Sequence, residues 1–257
     1  TVTIGIQQTR QMIFKIHRSA ILLINLTKTD KWIHLNIKNL RINRKCLAEI
    51  LRIGFPAGIQ SAVFNLANVV IQSAINSLRT VVIAASSAAF NIEILVYYVF
   101  NSFSQACTTF VGQNYGAGQI KRCKRTLLLC LMEDSVTSIA AIILILCSGK
   151  FLLSLFNRDP QVITLGYERL VIIFIAYCFS MLYEVMSGYL RGFGISLVPA
   201  ILTTIGVCGT RIAWVYTVFP KDRTFHTLLL AYPVSLAITA VLILAALLIY
   251  HPARRNR

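Results

Sequence analysis

The sequence is poor in charged residues, and those it has are mostly basic. Charged residues make up 13% of the 257 positions, and 9 acidic residues stand against 25 basic ones. Soluble domains average about 25% charged residues, so the composition, which is 56% hydrophobic, indicates a membrane protein. The basic residues fall in clusters between apolar runs, without an accompanying basic and aromatic face. This pattern argues against a nucleic-acid-binding protein and is better explained by the positive-inside rule of membrane proteins.

Motifs for catalysis and for metal binding are missing from the sequence. It contains no GxSxG or HExxH, and its GAGQIKRCKR stretch lacks the Gly-Lys-Ser/Thr order of a phosphate-binding loop. The seven cysteines are scattered without a CxxC pair, and the four histidines lie at ends and in loops. We therefore expect neither an enzyme nor a bound metal or cofactor. The sequence begins at Thr1 and shows no signal peptide, so we expect a fragment of a longer protein.

Long apolar runs dominate the chain. The run Val81–Val111 contains no Gly or Pro and predicts one helix, long enough at about 1.5 Å per residue to cross a bilayer core of about 30 Å. The sequence as a whole predicts an all-α integral membrane protein with six transmembrane helices. Their expected ranges are Ile53–Leu78, Val81–Val111, Thr126–Cys147, Val162–Leu190, Ser196–Phe219 and Thr227–Tyr250.

The segments outside the six helices are basic or irregular. Residues 1–34 are expected to be a poorly defined remnant of a preceding helix. Residues 35–52 are basic and amphipathic, which predicts an interfacial helix on the cytoplasmic side or, alternatively, a solvated loop. Residues 253–257 form a basic tail. Basic residues collect in the linker, in Lys121–Arg125 and in the tail, which predicts that both ends of the six-helix region 53–252 are cytoplasmic.

Four amide side chains of the first helix share one face. Asn65, Asn68, Gln72 and Asn76 follow one another at steps of three, four and four residues. An amide facing lipid is costly, so this face should look into protein or water. Hydrogen bonds between helices, worth about 1 kcal/mol each, would explain it without a function. We expect instead that the four amides line a cavity.

Charges within the apolar runs are the main candidates for function, because each costs about 2.5–3.5 kcal/mol at the centre of a bilayer. They are Glu93, Glu184 and Arg211. Glu93 lies about 20 Å from the start of its helix, at a depth similar to that of Arg211. One hypothesis is that Glu93, with Tyr97 beside it, exchanges a proton or a sodium ion for a cationic substrate. The alternative is a permanent Glu93–Arg211 ion pair that pins two helices together.

The other acidic residues have simpler interpretations. Glu184 lies about two turns from the end of its helix, where it either snorkels to the surface, pairs with Arg191 or lines the substrate cavity. Glu133 and Asp134 lie near a basic helix start and are expected to pair with Lys124 or Arg125 at the interface.

Three motifs carry a family resemblance. AASSAAFNIEIL followed by VGQNYGAGQ at the end of a membrane helix, with EILRIGFPAGIQSAVF upstream and SGYLRGFG downstream, resembles the multidrug and toxic compound extrusion (MATE) transporters. The resemblance covers roughly Leu35 to Pro252. In the motif VGQNYGAGQ, the glycines are expected to let the chain turn sharply at the membrane surface. Its distinctive residues are Gly112, Gln113, Asn114, Gly116 and Gly118.

The resemblance implies an architecture and a function. MATE transporters have twelve membrane helices in two lobes, so this chain resembles the second six-helix lobe alone. Its implied partners are a missing N-terminal six-helix lobe, the lipid bilayer and small organic cations, exported across a cell inner membrane in exchange for H+ or Na+. Family members often carry a coupling acid in this lobe's first helix, where this chain has only amides, and that departure shifts the role toward Glu93.

Two other functions remain open. A flippase of the same superfamily would move lipid-linked substrates through a more basic cavity, and the single Arg211 argues against it. A structural membrane module without transport is the third candidate. The resemblance also implies that the chain alone does not transport, because the pathway would lie between two lobes.

Overall fold

A computed structural model describes residues 17, 20–22, 24–27 and 43–250, apart from the side chains at positions 49, 53, 56 and 57. The chain divides into two units, Thr1–Ile50 and Leu51–Arg257. In the first unit residues 24–27 are helical, and the Thr27 hydroxyl donates to the carbonyl of Ile24 at 2.9 Å. The predictions for the basic tail, for most of residues 1–34 and for the beginning of the linker lie outside the described residues.

The described part of the chain is built from helices. Four long helices come first: α1 (Arg44–Asn76), α2 (Thr80–Gly116), α3 (Ile120–Ser154) and α4 (Pro160–Gly192). The next crossing consists of α5 (Leu197–Thr203), a π-helical turn (Thr204–Gly209) and α6 (Thr210–Thr217). The last consists of α7 (Phe225–Leu229) and α8 (Ala231–Tyr250). These elements form 6 segments long and apolar enough to cross a membrane, which confirms the predicted fold class.

Several helices extend further than the apolar runs suggested. Helix α1 reaches back to Arg44, so the described end of the basic linker is helical. Helix α3 begins at Ile120 and ends at Ser154, several residues beyond both predicted ends. The ends follow turn signals instead of hydropathy: Gly118 has φ 71°, and the Asp159 side chain accepts from the backbone N–H of Gln161 at 2.8 Å.

Helix α4 is the centre of the second unit. It packs against α2, α3 and α8, and α2 also packs against α3. A larger share of α4 is buried than of the other crossing segments, because it has neighbours on several sides. The interior of this unit is therefore organised around the side chains that α4 presents.

Two glycines of the SGYLRGFG motif allow α2 and α4 to approach closely. A Cβ atom at Gly188 would lie 2.5 Å from the backbone oxygen of Ser104, and one at Gly192 would lie 2.7 Å from the Cβ of Val111. The Ser104 hydroxyl donates to the carbonyl of Glu184 at 2.7 Å across the same contact. Small residues spaced four apart permit this kind of close packing between membrane helices. The motif therefore has a structural role in the lobe.

The substitution Gly188→Ala is expected to destabilise the chain by about 1–3 kcal/mol, because the added methyl meets backbone that cannot move aside. The matched control is Gly58→Ala in α1, where a Cβ has nothing within 4 Å. That control should be neutral or stabilising by about 1 kcal/mol, as for alanine replacing glycine in a helix. Thermal unfolding of the two variants in detergent measures the difference. Equal stability would contradict the close packing.

Candidate functional site

A buried ion pair joins α2 to α4 in the interior of the second unit. The Nε of Arg169 donates to Oε1 of Glu93 at 2.6 Å, and its Nη2 donates to Oε2 at 2.9 Å. Its Nη1 donates to the hydroxyl of Ser86 at 2.7 Å. Glu93 is 3% exposed and Arg169 2%. Both carboxylate oxygens are therefore held by one guanidinium, in the paired geometry that arginine favours.

A second buried arginine lies near this pair, across the ring of Tyr232 on α8. The guanidinium carbon of Arg211 lies 4.2 Å from the ring centroid, and that of Arg169 lies 5.5 Å from it. The Nε of Arg211 donates to the hydroxyl of Ser235 at 3.1 Å. Within the described residues no carboxylate lies within 4.0 Å of Arg211. Two arginines and one glutamate leave this cluster, the buried charge cluster, with a net charge of +1.

The alternative hypothesis, a permanent Glu93–Arg211 ion pair, is wrong, because Glu93 pairs with Arg169. Equal depth in the membrane was the argument for it, but depth does not decide which helices are neighbours. Helix α2 packs against α3 and α4, whereas α6 packs against α8. Arg169 was missed, although an arginine nine residues after Pro160, followed by LVIIF, is itself an intramembrane charge signal.

Among the described residues, the four amides of α1 form no hydrogen bond with the buried charge cluster. Asn65, Asn68 and Asn76 are exposed and Gln72 is half-buried, with its Nε2 donating to Oδ1 of Asn76 at 2.9 Å. A different face of α1 packs into this unit. Its buried residues are Ala67, Ile71, Ala74 and Ile75. These contacts do not place another described helix opposite the amides. Their role in lining a cavity stays a prediction.

Tyr97, one turn after Glu93, belongs to an aromatic group. Its ring packs edge-on against Phe100 at 5.1 Å between centroids, and its hydroxyl accepts from Nδ2 of Asn101 at 3.5 Å. Phe100 in turn packs edge-on against Tyr177 of α4 at 5.2 Å. These contacts of Tyr97 lie within α2, and they support Phe100 where it packs against α4.

The two acids nearer the predicted cytoplasmic side differ from each other. Oε2 of Glu184 lies 3.8 Å from Nη2 of Arg191, as one of the alternatives for Glu184 predicted. Asp134 is 1% exposed, its Oδ1 accepts from the Ser138 hydroxyl at 2.8 Å, and within the described residues it forms no ion pair. Its predicted pairing with Lys124 or Arg125 is wrong, because one continuous helix holds Asp134 about 14–15 Å further along its axis than these two residues. Glu133 is exposed.

The motif VGQNYGAGQ turns at one glycine only. Gly112 lies inside α2, where an added Cβ would be 3.6 Å from the carbonyl oxygen of Gly192. Gly116 is the last residue of α2. Gln113 is exposed, and Nδ2 of Asn114 donates to the carbonyl of Phe110 at 2.7 Å. Gly118, at φ 71°, is the residue whose conformation requires glycine. No group of three or more potential metal ligands is present in the described residues.

Six apolar crossing segments with a buried charge cluster between them define a multi-pass membrane protein. The sequence model of the MatE family matches residues 56–217, which is more than half of the chain. The chain belongs to this family, whose members are transporters and not enzymes.

Similar proteins support the assignment. The chain is 27% identical over 164 residues to the probable multidrug resistance protein NorM of Thermotoga maritima, covering 64% of this chain and 35% of that protein. It is 33% identical over 128 residues to an FAD transporter of Shewanella oneidensis, covering 50% and 28%. A solved outward-facing structure of a multidrug resistance MATE family transporter has a TM-score of 0.79 at 16% identity, covering 91% of this chain and 54% of that one. The chain thus spans about a third of these curated relatives and about half of the solved transporter.

Proposed function

We propose that this chain is one lobe of a secondary active antiporter that exports small organic compounds, with Glu93 as the coupling group. The observation that carries the proposal is the Glu93–Arg169 pair, buried in an apolar interior where an ion pair is expensive to maintain. The family assignment and the multidrug resistance protein among the relatives support the class of function.

The charges of the cluster determine whether a proton on Glu93 helps or opposes the binding of a cationic substrate. Protonation of Glu93 removes a negative charge, and the buried charge cluster changes from a net charge of +1 to +2. Two unit charges 4 Å apart interact by about 4 kcal/mol at an effective dielectric constant of about 20. A nearby cationic substrate is therefore repelled more strongly when the proton is bound than after it leaves. This competition is what proton antiport requires.

The geometry favours H+ over Na+ as the coupling ion. Arg169 occupies both oxygens of Glu93, so a sodium ion would have to displace the guanidinium to bind there. A proton needs only one oxygen, and it releases Arg169 at the same time. We therefore propose proton coupling.

The second lobe needs the first. In the proposed transporter the pathway lies between the lobes, and the exposed amides of α1 supply one wall of it. The basic residues of its loops support the prediction that both ends of this lobe are cytoplasmic. The flippase remains the second candidate, because Arg169 adds a second buried cation to the single Arg211 that argued against it.

The isolated chain, reconstituted in liposomes, is expected to show no gradient-driven efflux of a cationic dye. Expression in cells beside a first lobe should produce such efflux, whereas the chain alone should leave dye accumulation at the level of empty cells. The control is the same pair of lobes carrying Glu93→Gln. Efflux by the chain alone would contradict the proposal that it is one half of the pathway.

A further inference from the structure

Within the described residues, Arg211 is a buried cation without an anionic partner. It is 8% exposed, it lies in a crossing segment, and the Glu93 carboxylate of its cluster is held by Arg169. A buried charge is normally paired or otherwise compensated. The excess charge of +1 in the buried charge cluster is thus centred on Arg211.

The known contacts of Arg211 leave one edge of its guanidinium available. Tyr232 covers a face of the group, and Ser235 takes its Nε–H. Within the described residues neither Nη atom makes a hydrogen bond. Among the described residues, Ser187 Oγ is the only fully buried side-chain polar atom without a hydrogen-bond partner. Because the Nη atoms of Arg211 also lack a partner, they must be partly exposed. An arginine Nη edge presents parallel N–H donors that match the oxygens of a carboxylate or phosphate.

The backbone before Arg211 holds this arrangement in place. The π-helical turn Thr204–Gly209 ends immediately before Thr210, and π-helical turns inside α-helices are frequent at functional sites. Within that turn a Cβ at Gly206 would overlap the side chain of Thr239 on α8. Gly206 therefore lets the helical segment Leu197–Thr217 lie directly against α8, the helix that carries Tyr232 and Ser235. The site is built from two elements packed at close range.

We propose that the Nη edge of Arg211 binds a small anion or the anionic group of a small molecule. Its ligand chemistry is that of a halide, a carboxylate or a phosphate oxygen. Binding neutralises the excess charge of the buried charge cluster, and Tyr232 fixes the plane of the guanidinium toward the anion. The inference does not depend on the proposed transport, since it concerns binding to this lobe.

Thermal unfolding of the full 257-residue chain in lipid nanodiscs tests the site. Chloride, inorganic phosphate and benzoate are titrated separately, each replacing a bulky sulfonate buffer anion at constant ionic strength. In the wild-type chain at least one of them should raise the unfolding midpoint saturably, by about 2–5 °C at tenfold excess over its dissociation constant. Arg211→Gln should abolish the shift, and Arg158→Gln, at an exposed arginine, should leave it unchanged.

The outcomes separate the sources of the anion. A response to chloride or phosphate alone supports a site for a free inorganic anion, and a response to benzoate supports a site for an organic anion. Arg211→Lys keeps the charge and should weaken binding at least tenfold, which gives a second variant if Arg211→Gln does not fold. No saturable shift in the wild-type chain, or the same shift in Arg211→Lys, overturns the proposal.

Discussion

Replacement of Arg169 by leucine is expected to destabilise the chain by about 3–5 kcal/mol, the cost of breaking a buried ion pair by removing one partner. The loss comes from Glu93, which would stay in the interior as a carboxylate without its two hydrogen bonds. This is a larger effect than that of most single substitutions, which cost about 0.5–3 kcal/mol. Unfolding in detergent, followed by circular dichroism, measures it.

A double variant distinguishes the broken pair from a packing defect. Arg169→Leu combined with Glu93→Leu removes both charges and should recover most of the lost stability. The matched control is Arg191→Leu, since Arg191 pairs with Glu184 at 3.8 Å and is 25% exposed at its side chain. That substitution should cost less than Arg169→Leu, because the Arg191–Glu184 contact is longer and the Arg191 side chain is partly exposed. A double variant as unstable as Arg169→Leu would show that the arginine matters for its volume alone.

Glu93→Gln in a two-lobe protein is expected to abolish gradient-driven export. Glutamine imitates the protonated acid: it keeps an oxygen that accepts from Arg169 and removes the charge that a proton would neutralise. Gradient-free substrate exchange should survive at high substrate concentration, with a weaker substrate affinity, because that reaction needs no proton exchange. Dye efflux from proteoliposomes with and without a pH gradient measures both activities.

The control for Glu93→Gln is Glu184→Gln, a second acid of the same lobe that pairs with Arg191. It should retain efflux driven by the gradient. Arg211→Ala should have a milder effect than Glu93→Gln, because Arg211 does not hold the carboxylate. If the Glu93–Arg169 pair is only a structural pin, any Glu93→Gln protein that folds will still export, with its pH dependence unchanged.

The α1 amides and the close contact of α2 with α4 show how far local patterns reach. The steps of the four amides predicted a shared face, and the structure places three of them on exposed surface and Gln72 half-buried. The glycines of SGYLRGFG were visible as a motif, but their use in close packing was not. Gly118 is needed for its backbone conformation in a turn. Gly188 is needed because the backbone of another helix lies against it, which the motif alone does not reveal.

The sequence by itself determined the class of protein, the six crossing helices and the family motifs. These are local properties, since the length of an apolar run and the order of residues within a motif do not depend on neighbouring helices. Only the tertiary structure decided that Glu93 meets Arg169 and not Arg211, and that Asp134 is buried without an ion pair among the residues described. Position along a helix specifies one coordinate of a side chain, its depth. The other coordinates come from helix rotation and from which helices pack together, and those follow from long-range contacts such as that between Gly188 and Ser104.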